Sequence, residues 1–210
     1  METNLTTPHV NGYRITWNKG KLTGQKPPLQ PKHVWAIRTQ LQLDKRTREL
    51  ALFNLAIDSK LRGCDLVRLR VADVAPHGYA VERATVRQRK TGRPVSFEVT
   101  EQSRQAIDTY LAVSGRSQGS YLFHGRNNAK CLSTRQYARL VSRWILAAGL
   151  DPSRFGTHSM RRTKAALIYR RTGNLRAVQL LLGHSKIEST VRYLGIEVDV
   201  AIAIAERVEI

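Results

Sequence analysis

Between Thr134 and Gly149, Tyr137, Val141, Trp144, Ile145 and Ala148 recur at helical spacing and form an apolar stripe about four turns long, closed by the glycine. The aromatic side chains of this stripe need a core to enter, while Arg135, Arg139 and Arg143 fall on the opposite side. One such helix cannot bury its own stripe, so the rest of the chain has to supply partners. Helical patterns recur accordingly. Val34, Ile37 and Leu41 share a face from Pro31 onward, and Asp44 is placed to cap a second helix through Leu50, Phe53, Asn54 and Ile57. Thr100 is placed to cap a third stripe through Ala106, Ile107, Tyr110 and Leu111. Tyr79 to Val86 and Pro94 to Val99 alternate as strands do, joined by a loop with Lys90, Thr91, Gly92 and Arg93 near its tip. Ser114 to Ser120 is a loop, and Tyr121-Leu122-Phe123 is apolar enough to be a buried connector. The expected fold is α+β and mainly α-helical, with one small antiparallel β-hairpin.

A chain of 210 residues with 41% hydrophobic residues can bury one core, which makes one domain with a short appendage the natural division. The formal charge of +19 exceeds what solubility requires and points to a polyanionic partner, either nucleic acid or an acidic membrane surface. No apolar run approaches the roughly 20 residues needed to span a bilayer, and the first residues resemble no export signal, so a cytoplasmic protein is expected. Cys64 and Cys131 lie far apart without a CxxC pattern, which suggests neither a disulfide scaffold nor a zinc site but two buried small apolar residues.

Both ends differ from this pattern. Residues 1–29 hold Gly, Pro and Lys with little periodicity and read as a basic, flexible arm, with one short strand at Tyr13 to Trp17. Residues 30–210 form the domain proper. At its end Val198, Ala201, Ile202, Ala205 and Val208 make an apolar helical face with nothing after it to cover it.

Chemistry concentrates late in the chain. If Thr157 caps a helix, His158 and Arg161, three apart, share one face and can converge on a small anion such as a phosphate. Leu180-Leu181-Leu182 followed by Gly183 reads as a buried helix end with a glycine stop, which holds His184 at a turn toward the same place. Tyr193 follows after a short helical stretch, beside Arg192. Further upstream, Arg62 begins a helix within Lys60 to Leu69, with Asp65 one turn later able to orient a guanidinium. Arg87, Arg89, Lys90 and Arg93 form a basic hairpin, either a solvated charge run or a reach into a groove.

The ordered set His158-x-x-Arg161, Leu182-Gly183-His184 and Tyr193 resembles the carboxy-terminal signature of the tyrosine recombinases, the phage integrase family. Upstream, Lys60 to Leu66 with Leu69 to Val74 resembles the family's first arginine box, and Arg89-Lys90-Thr91-Gly92 its hairpin lysine, so the likeness runs from about Pro31 to the end. The resemblance implies DNA breakage and rejoining through a covalent 3′-phosphotyrosine on Tyr193, with no metal or nucleotide cofactor. In that scheme Arg62 and Arg161 clamp the phosphate and His184 hydrogen-bonds it, His158 assists removal of the phenol proton, and Lys90 protonates the leaving 5′ oxygen. Asp65 supports the first arginine, while Arg87, Arg89, Arg93, Arg135, Arg139 and Arg162 are expected against double-stranded DNA. The terminal helix implies a homo-oligomer, a tetramer on DNA, by docking on a neighbour, although packing in cis is an alternative. Most members carry a core-binding domain of about a hundred residues before the catalytic one. Here some thirty residues precede the first helix, as in the compact recombinases that invert promoter segments. Either the arm or an accessory DNA-binding protein does part of the clamping, or the chain alone binds DNA weakly. A type IB topoisomerase and a DNA-binding regulator that keeps the fold are the alternatives.

Overall fold

A computed structural model describes residues 25–125 and 130–195. It contains nine helices and one two-stranded sheet among these residues. The centre is α2 (Thr47–Asp58), buried over eight consecutive residues from Ala51 to Asp58. Around it pack α1 (Pro31–Leu43), α5 (Glu101–Ser114) and α7 (Thr157–Thr172), with α6 (Thr134–Ala147) closing the layer through α1 and α7. The stripe on α6 enters the core as expected: Tyr137, Val141, Trp144 and Ile145 are buried, and Trp144 meets Phe53 edge-on at 5.5 Å. Its indole Nε1 donates to Glu49 at 2.7 Å, so the large ring leaves no polar atom unpaired.

The hairpin pairs β1 (Arg83–Arg87) with β2 (Pro94–Glu98) in antiparallel register, Thr85 opposite Ser96. Ala84, Val95 and Phe97 face inward, while Arg83, Arg87 and Glu98 face out. Two very short helices, α3 (Gly63–Leu66) and α4 (Val71–Val74), lead from α2 into β1. The end of α2 is held firmly because Asp58, only 2% exposed, accepts from Thr100 Oγ1, Ser103 Oγ and Lys164 Nζ. That buried carboxylate ties α2 to α5 and α7 four residues before Arg62, and so fixes where Arg62 emerges. Beyond α7 come α8 (Leu175–Leu182) and α9 (Ile187–Leu194), which pack on each other and on α7.

Several local expectations are corrected. Asp44 closes α1, and α2 begins after Arg46. The sequence pattern assigns no cap to α6; Ser133 fills that position, its hydroxyl accepting from the Gln136 amide. Thr157 is the first residue of α7, and the cap position belongs to Gly156, whose amide donates to Ser159 Oγ at 3.1 Å. Thr100 sits at the cap of α5, but its hydroxyl serves Asp58 instead of the helix. The helix expected over Lys60 to Leu69 is a single turn at Gly63–Leu66. Of Leu180, Leu181 and Leu182 only the last is buried, and Leu180 is 63% exposed. Cys64 and Cys131 are half-buried free thiols. Residues 25–29, assigned to the arm, lie instead on the body: Leu29 is buried, and its amide donates to Thr163 Oγ1 at 3.0 Å. The strand expected at Tyr13 to Trp17 and the apolar helix at Val198 to Val208 lie outside the described residues. Among the described residues, no helix is long and apolar enough to cross a membrane, and no three metal-ligating side chains cluster.

Candidate active site and nucleic-acid interface

Arg62 occupies the extended position just before α3, where its side chain leaves the core and leans over a cleft. This cleft, about 330 Å³, is lined by Arg62, Cys64, Lys90, Thr134, Thr157, His158 and Arg161, with Tyr137 and Gly63 at its floor. Four of the six expected catalytic residues therefore share one wall system. They arrive from separate places: the α2–α3 junction, the hairpin tip and the first turn of α7. The turn of α7 brings His158 and Arg161 to one side, as their spacing requires.

Arg161 is 5% exposed and donates through Nη2 to the Leu182 carbonyl at 2.8 Å. That carbonyl ends α8, where helix carbonyls lack internal partners and the dipole favours a cation. Gly183 follows in the left-handed conformation, φ 65°, and makes the turn to His184. A Cβ here would stand 2.6 Å from Val95 and 3.0 Å from Gln88, so glycine is demanded both by its backbone and by its neighbours. His184 Nδ1 lies 3.1 Å from Thr190 Oγ1, and Gln179 donates to the His184 carbonyl at 3.1 Å. Burial, then Arg161 and Arg62, push the His184 pKa down to about 4, so the imidazole is neutral at physiological pH. His158, at the mouth, is also lowered, by partial removal from water and by Arg161, Arg162 and Lys26.

Tyr193 and His184 do not line the cleft itself. They stand behind Arg161. The Tyr193 ring meets His184 edge-on at 5.4 Å, and the guanidiniums of Arg161 and Arg162 each lie 5.5 Å from its centroid. Its hydroxyl is buried with no hydrogen-bond partner among the described residues. Burial raises its pKa to about 12 even though Arg161, Arg162 and Arg62 pull the other way. The phenol is thus retracted and protonated in this conformation, one side chain away from the cleft.

Two residues stand elsewhere than expected. Arg162, assigned to the DNA surface, is 7% exposed and buttresses Tyr193, with Nη1 donating to the Lys26 carbonyl at 2.8 Å. Asp65 makes no hydrogen bond to Arg62: its Oδ1 accepts from the Arg89 amide at 2.9 Å and so holds the hairpin tip. Arg62 Nη1 donates instead to Gln88 Oε1 at 2.5 Å, a partner absent from the sequence reading because a glutamine inside a charge run carries no pattern. Gln25 and Lys26 were missed for a similar reason. Gln25 donates to the Arg192 carbonyl at 2.5 Å, and Lys26 Nζ donates to Ser153 and Phe155 carbonyls at 3.0 Å each. The remaining basic residues are exposed as expected: Arg87, Arg89, Lys90 and Arg93 on the hairpin, Arg135 and Arg139 on α6. The α6 residues, with Arg48 and Arg143, border an open groove of about 850 Å³.

Two guanidiniums, an ammonium and an imidazole around one small cleft suit a small anion such as a phosphodiester, since guanidinium forks match phosphate oxygens. The chain belongs to the phage integrase family, whose sequence pattern matches residues 29–198, and with it to the tyrosine recombinases, which are DNA strand-transferases. It is 33% identical over 162 residues to the probable integrase/recombinase YoeC of Bacillus subtilis, covering 76% of this chain and 84% of that one. It is 31% identical over 188 residues to the tyrosine recombinase XerC of Neisseria meningitidis, covering 83% of this chain but 59% of XerC. Among solved structures, XerA recombinase superposes with a TM-score of 0.72 at 21% identity, over 89% of this chain and 67% of that one. XerH bound to its difH substrate gives 0.67 at 18% identity, over 90% and 56%. These likenesses confirm the fold as a tyrosine recombinase catalytic domain.

Proposed function

We propose that this protein is a site-specific DNA recombinase that cuts and rejoins double-stranded DNA through Tyr193, acting in the cytoplasm in association with the nucleoid. The observation that carries the proposal is the convergence of Arg62, Lys90, His158 and Arg161 on one cleft, with His184 and Tyr193 packed edge-on behind Arg161. The phosphodiester enters the cleft between Arg62 and Arg161, which neutralise its non-bridging oxygens. Tyr193 swings past Arg161, its phenolic oxygen bonds to phosphorus, and the P–O5′ bond breaks. The phenol proton passes toward His158, and O5′ leaves with a proton from Lys90. His184, neutral and backed by Thr190, donates to a phosphate oxygen through Nε2 when its tautomer places the proton there. Rejoining is the reverse with another strand's 5′ hydroxyl. The phosphoryl bond is exchanged at each step, so no external energy source is required.

The arginines of α6 and the basic hairpin flank the cleft and supply the sequence-independent grip. A tetramer on DNA, with an accessory DNA-binding protein completing the clamp, is the assembly this reading implies. The deciding experiment incubates the protein with nicked suicide duplexes drawn from DNA flanking its own gene. A denaturation-resistant protein–DNA adduct with wild type and none with Tyr193→Phe is the expected result. Sequence-specific binding without adduct on any duplex would make it a regulator, and adducts indifferent to sequence would make it a topoisomerase.

A further inference from the structure

Gln88 is the one neutral side chain in Arg87-Gln88-Arg89-Lys90, and while its three neighbours are exposed it is 1% exposed. A buried amide needs partners, and this one is saturated almost completely. Its Oε1 accepts from Arg62 Nη1 at 2.5 Å and from Thr91 Oγ1 at 3.0 Å. Its Nε2 donates to the Leu182 carbonyl at 3.2 Å, the same oxygen that anchors Arg161. Its backbone closes the hairpin tip, the amide donating to the Arg93 carbonyl at 2.9 Å and the carbonyl accepting from the Gly92 amide at 2.8 Å. Gly183, which turns the chain toward His184, lies directly against its side chain.

We propose that Gln88 is a positioning residue that sets the hairpin lysine in register with the phosphate clamp. Resting on the recombinase reading above, the inference extends it to a residue that touches none of the reacting atoms. Lys90 itself has a long, flexible stem, so its reach is useful only if the backbone carrying it is fixed. Two adjacent anchors fix it: the Arg89 amide on Asp65, and the Gln88 amide group between Arg62, Thr91 and Leu182. Both polar ends of the glutamine are needed. A glutamate would set an acceptor against the Leu182 carbonyl, and an apolar isostere would strand an arginine donor and a helix-end carbonyl.

The test compares single-turnover cleavage of a nicked suicide duplex carrying either the natural 5′ oxygen or a bridging 5′ sulfur at the scissile phosphate. A thiolate leaves without being protonated, so sulfur removes the need for a correctly placed Lys90. Gln88→Ala is expected to slow cleavage of the oxygen duplex about tenfold to a hundredfold at unchanged DNA affinity, because misplacing a group costs rate more than binding. The sulfur duplex should restore at least part of that loss, as it should for Lys90→Ala, and restore none of the loss in Arg62→Ala. Thr91→Val, on an exposed residue, severs only the loop side of the network and should show a smaller loss with the same sulfur rescue. Equal slowing of both duplexes by Gln88→Ala, or no rescue in Thr91→Val, would overturn the inference, as would cleavage at the wild-type rate. If Gln88→Ala fails to fold, Thr91→Val alone decides. Absence of an adduct with wild-type protein would instead refute the recombinase reading itself.

Discussion

Two apolar clusters of unequal size meet near Arg161, and the reactive groups divide between them. The large one runs through α1, α2, α5, α6 and the first turn of α7 as far as Met160, and it carries Arg62, Lys90 and His158 on its rim. The small one consists of Ala165, Val178 and Leu182, with Ile168, Tyr169, Tyr193 and Leu194 packed against it. Helix α2 is buried along eight consecutive residues, whereas within α9, which bears Tyr193, the one buried residue is Thr190. In the proposed reaction the clamp is therefore built on the heavily buried part and the nucleophile on the sparsely buried part. That division suits a site in which the phosphate receptor must be preorganised while the phenol must travel.

The contrast breaks most severely at the residue shared by both regions. Arg161→Ala should lower adduct formation by about three orders of magnitude or more, since it removes a phosphate ligand, the anchor on Leu182 and the cation over Tyr193 at once. Arg161→Lys should recover little of this, because an ammonium cannot hold the carbonyl and a phosphate in the same fork. Rates near wild type in either variant would deny Arg161 its double role. Next in size, Phe53→Ala should destabilise the whole protein by about 3–5 kcal/mol in a denaturant titration, as deletion of a fully buried ring does. In wild-type protein, amide exchange should then show α2 and α6 protected to the level of global unfolding, with α8 and α9 opening at several kcal/mol less. Uniform protection across all four helices would erase the division.

A smaller effect concerns pH. The His184 pKa is about 4 in the folded chain against an ordinary 6.5, so the unfolded chain takes up this proton first. Its contribution to stability is complete above pH 6.5 and is lost as pH falls from there toward about 4. Wild type should lose more stability than His184→Gln between those limits. Identical pH profiles for the two would show that His184 is not withdrawn from water. Smallest of all, Arg139→Ala should leave the folded protein and the chemistry intact and reduce the salt dependence of DNA binding by about one released counterion. An unchanged slope would place the α6 groove away from DNA.

The legibility of the molecule follows the same partition. Local patterns were readable: the α6 stripe, the hairpin with Lys90 at its tip, the spacing of His158 and Arg161, and the glycine stop before His184 each depend on residues a turn or a hairpin apart. Cap positions were misjudged by a residue or two at α2 and α7, because Asp44 and Arg46, like Gly156 and Thr157, are close candidates whose competition is settled by how the chain enters the helix. Arg162 was misplaced for a different reason. Next to Arg161 in a mostly polar turn, nothing in its neighbours says that it faces inward, and the approach of α9 and Lys26 makes burial of a second guanidinium tolerable.

The order of residues alone pointed to a mainly helical domain with one hairpin and a large positive charge, and the resemblance to the recombinase family picked out Arg62, Lys90, His158, Arg161, His184 and Tyr193. Periodicity and spacing are properties of neighbouring residues, and they survive in a linear text. Folding alone settled that Gln88, already bonded to Arg62, reaches Leu182 across 94 positions, that Asp65 holds the hairpin and not the arginine, and that Tyr193 rests behind Arg161. Those are contacts between distant segments, and a hydrogen bond between them exists only once burial has excluded the water that would otherwise take its place.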